Sequence, residues 1–264
     1  MLKIYVKNRA LFISLDLEKD ENRLTIGLLN EIYNALENGE RDKNIDIIVL
    51  KSELEYFSKG APVGELAKYN EAESKIYAKT GQKVIKKIRE IKKPVIACVN
   101  GEVSGGSFEI VLSCDIILST RDARFGFDEV NLGFIPGFGG SQIIARKTHE
   151  TFAKYLIFTG EKVDTNFLQK YGIVISVFAS KTEMFSELDI IINNLRGKSI
   201  FAIGLAKETI NNGLETDFNQ ALLIEQNAFT VAFASNDKVE GMSAFIEKRK
   251  PEFKDRWEDF EEIK

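Results

Sequence analysis

Histidine is almost missing from this chain: His149 is the only one in 264 residues, and cysteine is limited to Cys98 and Cys114. Without a Cys/His cluster there is no ligand supply for a zinc site, and no metal is expected. Both cysteines sit inside apolar runs and read as small buried hydrophobes, with nothing to suggest a disulfide framework. A basic excess is lacking too. Thirty-six Lys and Arg face 40 Asp and Glu, a net charge of −4, which leaves no electrostatic footprint for nucleic acid. No apolar run approaches the roughly 18 residues of a membrane span. The first residues, Met1-Leu2-Lys3-Ile4-Tyr5-Val6, read as a strand and not as a signal peptide. Low-complexity segments, short repeats and Pro/Ser linkers are absent. These absences lead to the expectation of a cytoplasmic protein with neither a nucleic-acid nor a membrane partner.

What is present is a pattern for one large α/β unit, with 44% hydrophobic residues to fill its core. Residues 2–6 and 11–16 form a hairpin around Asn8-Arg9. Apolar residues at helical spacing mark a helix over 25–36 and a longer one over 70–91, with Ile76, Val84, Ile85, Ile88 and Ile91 inward. The basic run Lys86, Lys87, Arg89, Lys92 and Lys93 reads as a solvated helix face. Short β-branched runs give strands at 45–50, 95–99 and 116–119. A glycine-dense loop covers 133–140. Beyond it the pattern is helical at 141–147, 150–159, 164–170 and 181–195, then at 200–212, 216–234 and 237–248. The division is therefore an α/β core over 1–195 and a helical region over 196–264.

Three segments can carry chemistry. Gly105-Gly106 follows a strand and opens a helix, where backbone N–H groups face a ligand unobstructed and the helix N-terminus favours negative charge. That combination stabilises an oxyanion. Glu109 lies within the first turn of the same helix, flanked by Phe108, Ile110 and Val111. A capping glutamate would be ordinary there, but an acid in apolar surroundings gains a raised pKa useful for proton transfer. Glu129 stands among Phe125, Phe127 and Val130, and on composition alone is a surface acid beside Asp128. In the third segment, Tyr56-Phe57-Ser58-Lys59-Gly60-Ala61-Pro62-Val63, the N–H of Ala61 can form a second arm of an oxyanion hole.

In order along the chain, these segments resemble the crotonase (enoyl-CoA hydratase/isomerase) superfamily. The resemblance rests on 93–101, on Phe125-Gly126 through Glu129 to Gly140, on Leu156-Ile157-Phe158-Thr159-Gly160, on Gly172-Ile173-Val174, and on Gly241-Met242-Ser243-Ala244-Phe245 through Lys250. It covers nearly the whole chain.

The resemblance implies a ββα spiral core with a helical C-terminal trimerisation region, and a homo-oligomer, trimer or hexamer. It implies hydration of a 2-enoyl-CoA, as in fatty-acid β-oxidation. Ala61 and Gly106 would bind the thioester oxygen and Glu109 and Glu129, 20 residues apart, would move the protons. It further implies substrate contacts at Ser58, Lys59, Gly60, Ala61, Val63, Gly105, Gly106, Pro136 and Gly137. Phe229, Phe245 and Lys248 would lie near the CoA nucleotide, in part from a neighbouring subunit. No cofactor is needed, since CoA belongs to the substrate. The chain departs from the family at Pro62, where an Asp is usual, and so in the loop that shapes the acyl pocket. That loop and Asn22-Arg23-Leu24-Thr25 also resemble hydratases of cyclic dienoyl-CoA thioesters. An enoyl-CoA isomerase and a non-catalytic acyl-CoA-binding subunit remain as further alternatives.

Overall fold

The computed structural model describes residues 2–261. Strands β1 (Lys3–Lys7) and β2 (Ala10–Ser14) pair antiparallel through a turn in which Asn8 and Arg9 both have positive φ, the twist that suits a two-residue hairpin. Helix α1 (Ile26–Arg41) starts where the Thr25 hydroxyl accepts the Leu28 N–H, and runs five residues further than its apolar pattern suggested. Strand β3 (Ile47–Lys51) comes next, then the short helix α2 (Val63–Leu66) and helix α3 (Glu71–Glu90), opened by an Asn70–Glu73 capping box.

Beyond these lie β4 (Val95–Val99), β5 (Glu102–Ser104) and helix α4 (Gly106–Ser113), then β6 (Ile116–Thr120) and β7 (Arg124–Gly126). Helices α5 (Gly140–Lys147) and α6 (Glu150–Thr159) precede β8 (Val163–Asp164), α7 (Thr165–Lys170), β9 (Ser176–Phe178) and α8 (Lys181–Arg196). Four helices close the described chain: α9 (Ile200–Gly213), α10 (Phe218–Phe233), α11 (Asn236–Glu247) and α12 (Trp257–Glu261).

A large sheet in the order β1-β2-β3-β4-β6-β9 is parallel from β2 onward, and a small sheet has the order β5-β7-β8. The chain visits them alternately. Strand β4 leads into β5 and α4, and β6 leads into β7 and, through a glycine-dense loop, α5; β3 leads to Ser58, which bridges to Val103 of the small sheet, and then to α3. This repeated strand–strand–helix winding is the spiral core expected from the sequence. Three short-strand exits, near residues 58–61, 104–106 and 126–129, therefore lie close together.

Alternation along the strands sends Leu11, Ile13, Ile48, Leu50, Ala97 and Ile117 into the main core, and Phe12, Val49, Ile96 and Leu118 onto Met184, Leu188 and Ile192 of α8. Two expectations are corrected. Ile76 points outward at 56% exposure, because the buried stripe of α3 runs through Tyr77, Gly81, Val84, Ile85 and Ile88. The basic run is no free solvated face: Lys87, Arg89 and Lys92 pair with Glu40, Glu215 and Glu208. Lys93 is buried, its ammonium donating to the carbonyls of Gly39, Glu40 and Asp42 at the end of α1.

Candidate active site

Helix α4 is buried along all eight residues, so an acid within it enters the core unless something receives it. Glu109 is 1% exposed, and its Oε1 accepts N–H groups from Phe138 at 2.9 Å and Gly140 at 2.6 Å. Burial pushes its pKa up from 4.5 to about 7, against the pull of the backbone donors of Gly140, Phe138, Gly139 and Gly137. Those donors stabilise the ionised form and point it in one direction.

Phe138 is held as firmly as the acid that it serves. Its ring lies between α3 and α4, where a Cβ on Gly81 would come within 2.1 Å of it and a Cβ on Gly106 within 2.6 Å. Tyr77 packs against the same ring at 5.1 Å between centroids and donates its hydroxyl to the Leu24 carbonyl.

Glu129 opens a 3₁₀ turn over Glu129–Leu132 and is also buried, at 6% exposure. It is not the surface acid that composition suggested. Burial, and then the neighbouring charge of Glu109, push its pKa to about 8. Its Oε2 has no hydrogen-bond partner among the described residues. The carboxyl rests on Gly105, whose φ of +52° and whose missing Cβ, which would sit 2.8 Å from Glu129 Oε1, both require glycine.

Gly105 caps the start of α4, with its carbonyl accepting from Phe108 and Glu109, which leaves the Gly106 N–H at the helix N-terminus. Facing it is the segment from Ser58. The Ser104 N–H donates to the Ser58 carbonyl and the Leu24 N–H to that of Gly60, which fixes the approach of Ala61. The N–H groups of Ala61 and Gly106 have no acceptor among the described residues.

Arg23 completes the arrangement. Its guanidinium donates to the carbonyls of Ala61 at 3.1 Å and Lys59 at 3.4 Å, and is itself held by Glu21 at 2.6 Å. Glu21 also takes Lys59 at 2.5 Å. Because Pro62 offers no N–H to tie the loop, Arg23 clamps it from the carbonyl side. Sequence reasoning gave Arg23 no such role, since an arginine 38 residues from Ala61 leaves no local signal.

A cleft of about 200 Å³ runs between Arg23, Lys59, Ala61 and Val63 on one side and Gly105, Glu129, Leu132 and Phe134 on the other. Of the other expected contacts, Ser58 is fully buried, its hydroxyl spent on the Asn22 carbonyl, and Pro136 is buried. Gly137 offers its carbonyl to Gln82. Phe229, Phe245 and Lys248 do not line the cleft of their own chain. An acid pair in which the ionised member is fixed by N–H groups and the other is easily protonated, beside two free N–H donors, suits proton transfer at a carbon next to a carbonyl.

Comparison with known proteins agrees. The sequence profile described as "Enoyl-CoA hydratase/isomerase" matches residues 6–256. The short-chain-enoyl-CoA hydratase of Clostridium acetobutylicum is 34% identical over 252 residues, 95% of this chain and 96% of that protein. The crotonyl-CoA hydratase of Syntrophomonas wolfei is 34% identical over 236 residues, covering 89% and 90%. Among solved structures, an enoyl-CoA hydratase from Bacillus anthracis superposes with a TM-score of 0.91 at 30% identity, covering 96% of this chain and 98% of the other.

Proposed function

Because the chain belongs to the enoyl-CoA hydratase/isomerase family, we propose that it adds water across the 2,3 double bond of a 2-enoyl-CoA, with the work divided between backbone donors and two acids. The N–H groups of Ala61 and Gly106 take the thioester oxygen, and the N-terminus of α4 favours the charge that arrives there. Glu109, ionised and oriented by Phe138 and Gly140, holds a water and removes its proton as oxygen bonds to C3. The π electrons move toward the carbonyl, and Glu129 in its acid form delivers a proton to C2. One O–C3 bond and one H–C2 bond form, and the pair of acids is left to exchange one proton before the next turnover.

The observation that carries this reading is the contrast between the two acids, one fixed by two N–H donors and the other with an unpartnered oxygen beside the cleft. Similarity to a short-chain-enoyl-CoA hydratase supports a short acyl chain. Lys59 and Val63 stand at its edge for the CoA arm. The chemistry calls on no metal or redox cofactor, and CoA enters as part of the substrate.

Exposed Phe218, Leu222, Phe229, Phe245 and Ile246 on the last helices support a homo-oligomer, trimer or hexamer, in which Phe229, Phe245 and Lys248 meet a neighbour's CoA. The helices from α9 onward then form the trimerisation region. Two buried free cysteines support a reducing, cytoplasmic setting, and the family match supports a role in fatty-acid degradation.

The test is turnover with crotonyl-CoA, a longer 2-enoyl-CoA and a cyclic dienoyl-CoA. Crotonyl-CoA should be hydrated fastest. A rate at the uncatalysed level for all three would sink the hydratase reading, and a preference for the cyclic thioester would move it to that substrate class.

A further inference from the structure

A second cavity, of about 400 Å³, lies at the opposite ends of the two helices that build the acid site. Glu109 sits in the first turn of α4, and Gly140, which donates to it, opens α5. The cavity is lined at the other ends of these eight-residue helices, about 12 Å away. Cys114 and Asp115 line it just past α4, and Ile143, Arg146 and Lys147 line it from α5. Helix α9 closes the far wall with Ile203, Ala206, Lys207 and Ile210.

The wall is mostly apolar, but its charges do not cancel. Lys207 is tied to Asp115 at 2.7 Å and to the carbonyls of Ile88 and Lys93. Arg89 and Arg146 share Glu215, at 3.1 and 3.6 Å. Lys147 is left, its ammonium making no ion pair or hydrogen bond among the described residues. Four cations against two carboxylates leave two positive charges. The C-termini of α4 and α5, each equivalent to about half a negative charge, bring that to about one. Lys147 is an exposed residue at the mouth of the cavity, so its ammonium is open to a ligand entering from solvent. Arg146 already supplies a cation to the last turn of α5, so the helix end does not by itself require Lys147 there.

We propose that this cavity is a binding site for a small amphipathic monocarboxylate, with its carboxylate on Lys147 and its short saturated chain against Ile143, Ile203 and Ile210. One negative charge matches the surplus and the apolar wall takes the chain. The volume lies within the range of small-molecule pockets, roughly 300–1,000 Å³.

The experiment is calorimetric titration of hexanoate into the full chain, with saturated butanoyl-CoA present to occupy the active site. Saturable binding of one hexanoate per chain is expected, with none for hexylammonium. Lys147→Met keeps the stem and removes the charge; it should weaken hexanoate by about tenfold or more and leave crotonyl-CoA hydration unchanged. Ala206→Phe, which fills the space, should abolish binding. Absence of saturable hexanoate binding, or equal affinity in Lys147→Met, would overturn the proposal. Since the hydration assay is separate, neither result bears on the catalytic reading.

Discussion

Replacing Glu129 with glutamine should make the protein more stable while it destroys the activity. The acid is 6% exposed and its pKa lies near 8 instead of 4.5. Between these values the folded chain keeps a proton that the unfolded chain has released, so wild-type stability falls as pH rises through that window and levels off above it. Each pH unit in the window is worth about 1.36 kcal/mol, so the ceiling is about 5 kcal/mol. Solvent screening at the open side of the cleft discounts this to about 2–3 kcal/mol. Glutamine is neutral throughout and leaves its amide in the place of an oxygen that already lacked a partner. The two proteins should therefore melt together near pH 4.5. By pH 8.5 the variant should melt higher by roughly 5 °C or more, as each kcal/mol moves a chain of this size by about 2–4 °C. Circular dichroism melts at one fixed protein concentration across that range, beside hydration turnover, make the measurement. A gap that fails to widen with pH, or a variant less stable at pH 8.5, would refute the reasoning that burial sets this pKa.

The same pair of acids predicts a bell-shaped pH profile for hydration, with limbs near 7 and 8 from Glu109 and Glu129; a flat profile across pH 6–9 counts against one base and one acid. Glu109→Gln should lower kcat by about 10²–10⁴ while affinity for saturated butanoyl-CoA is kept, and loss of affinity without loss of kcat would contradict its role. Arg23→Ala releases the Ala61 and Lys59 carbonyls and should reduce kcat by about tenfold with little change in thioester affinity. Arg23→Lys should recover part of the loss, and equal rates in all three proteins would show that the clamp is idle. Phe229→Glu, on an exposed apolar face, should shift the mass in solution to that of one chain; an unchanged mass would place the assembly surface elsewhere.

The parts that can be read in advance are those with a period or a run. Strand β3 shows itself as a β-branched run and α9 as a helical repeat. Strands β5, β7, β8 and β9 have two or three residues each and leave no such trace. Helix α3 shows how a pattern misleads. Gly81 occupies a core position because the Phe138 ring needs its space, so the stripe reads as interrupted, and Ile76 outside it reads as core. The two glutamates are each ordinary alone, and only their place in a family pattern marks them. What orients Glu109 is backbone, the N–H groups of residues 138 and 140, whose side chains do not record it. Arg23 acts across the fold on a carbonyl, and no local spacing encodes that.

The ring of Phe138 between Gly81 and Gly106 has a meaning on the scale of descent. A methyl group on either glycine collides with the ring, and a smaller residue at 138 opens a void beside the acid that it aligns. No single substitution at these three positions leads to another working arrangement; a lineage would have to exchange them in concert. Val63 and Leu132, by contrast, stand at the cleft partly open to solvent and can drift one at a time. Descendants of this chain are thus free to alter the acyl group they accept long before they can alter the chemistry performed on it.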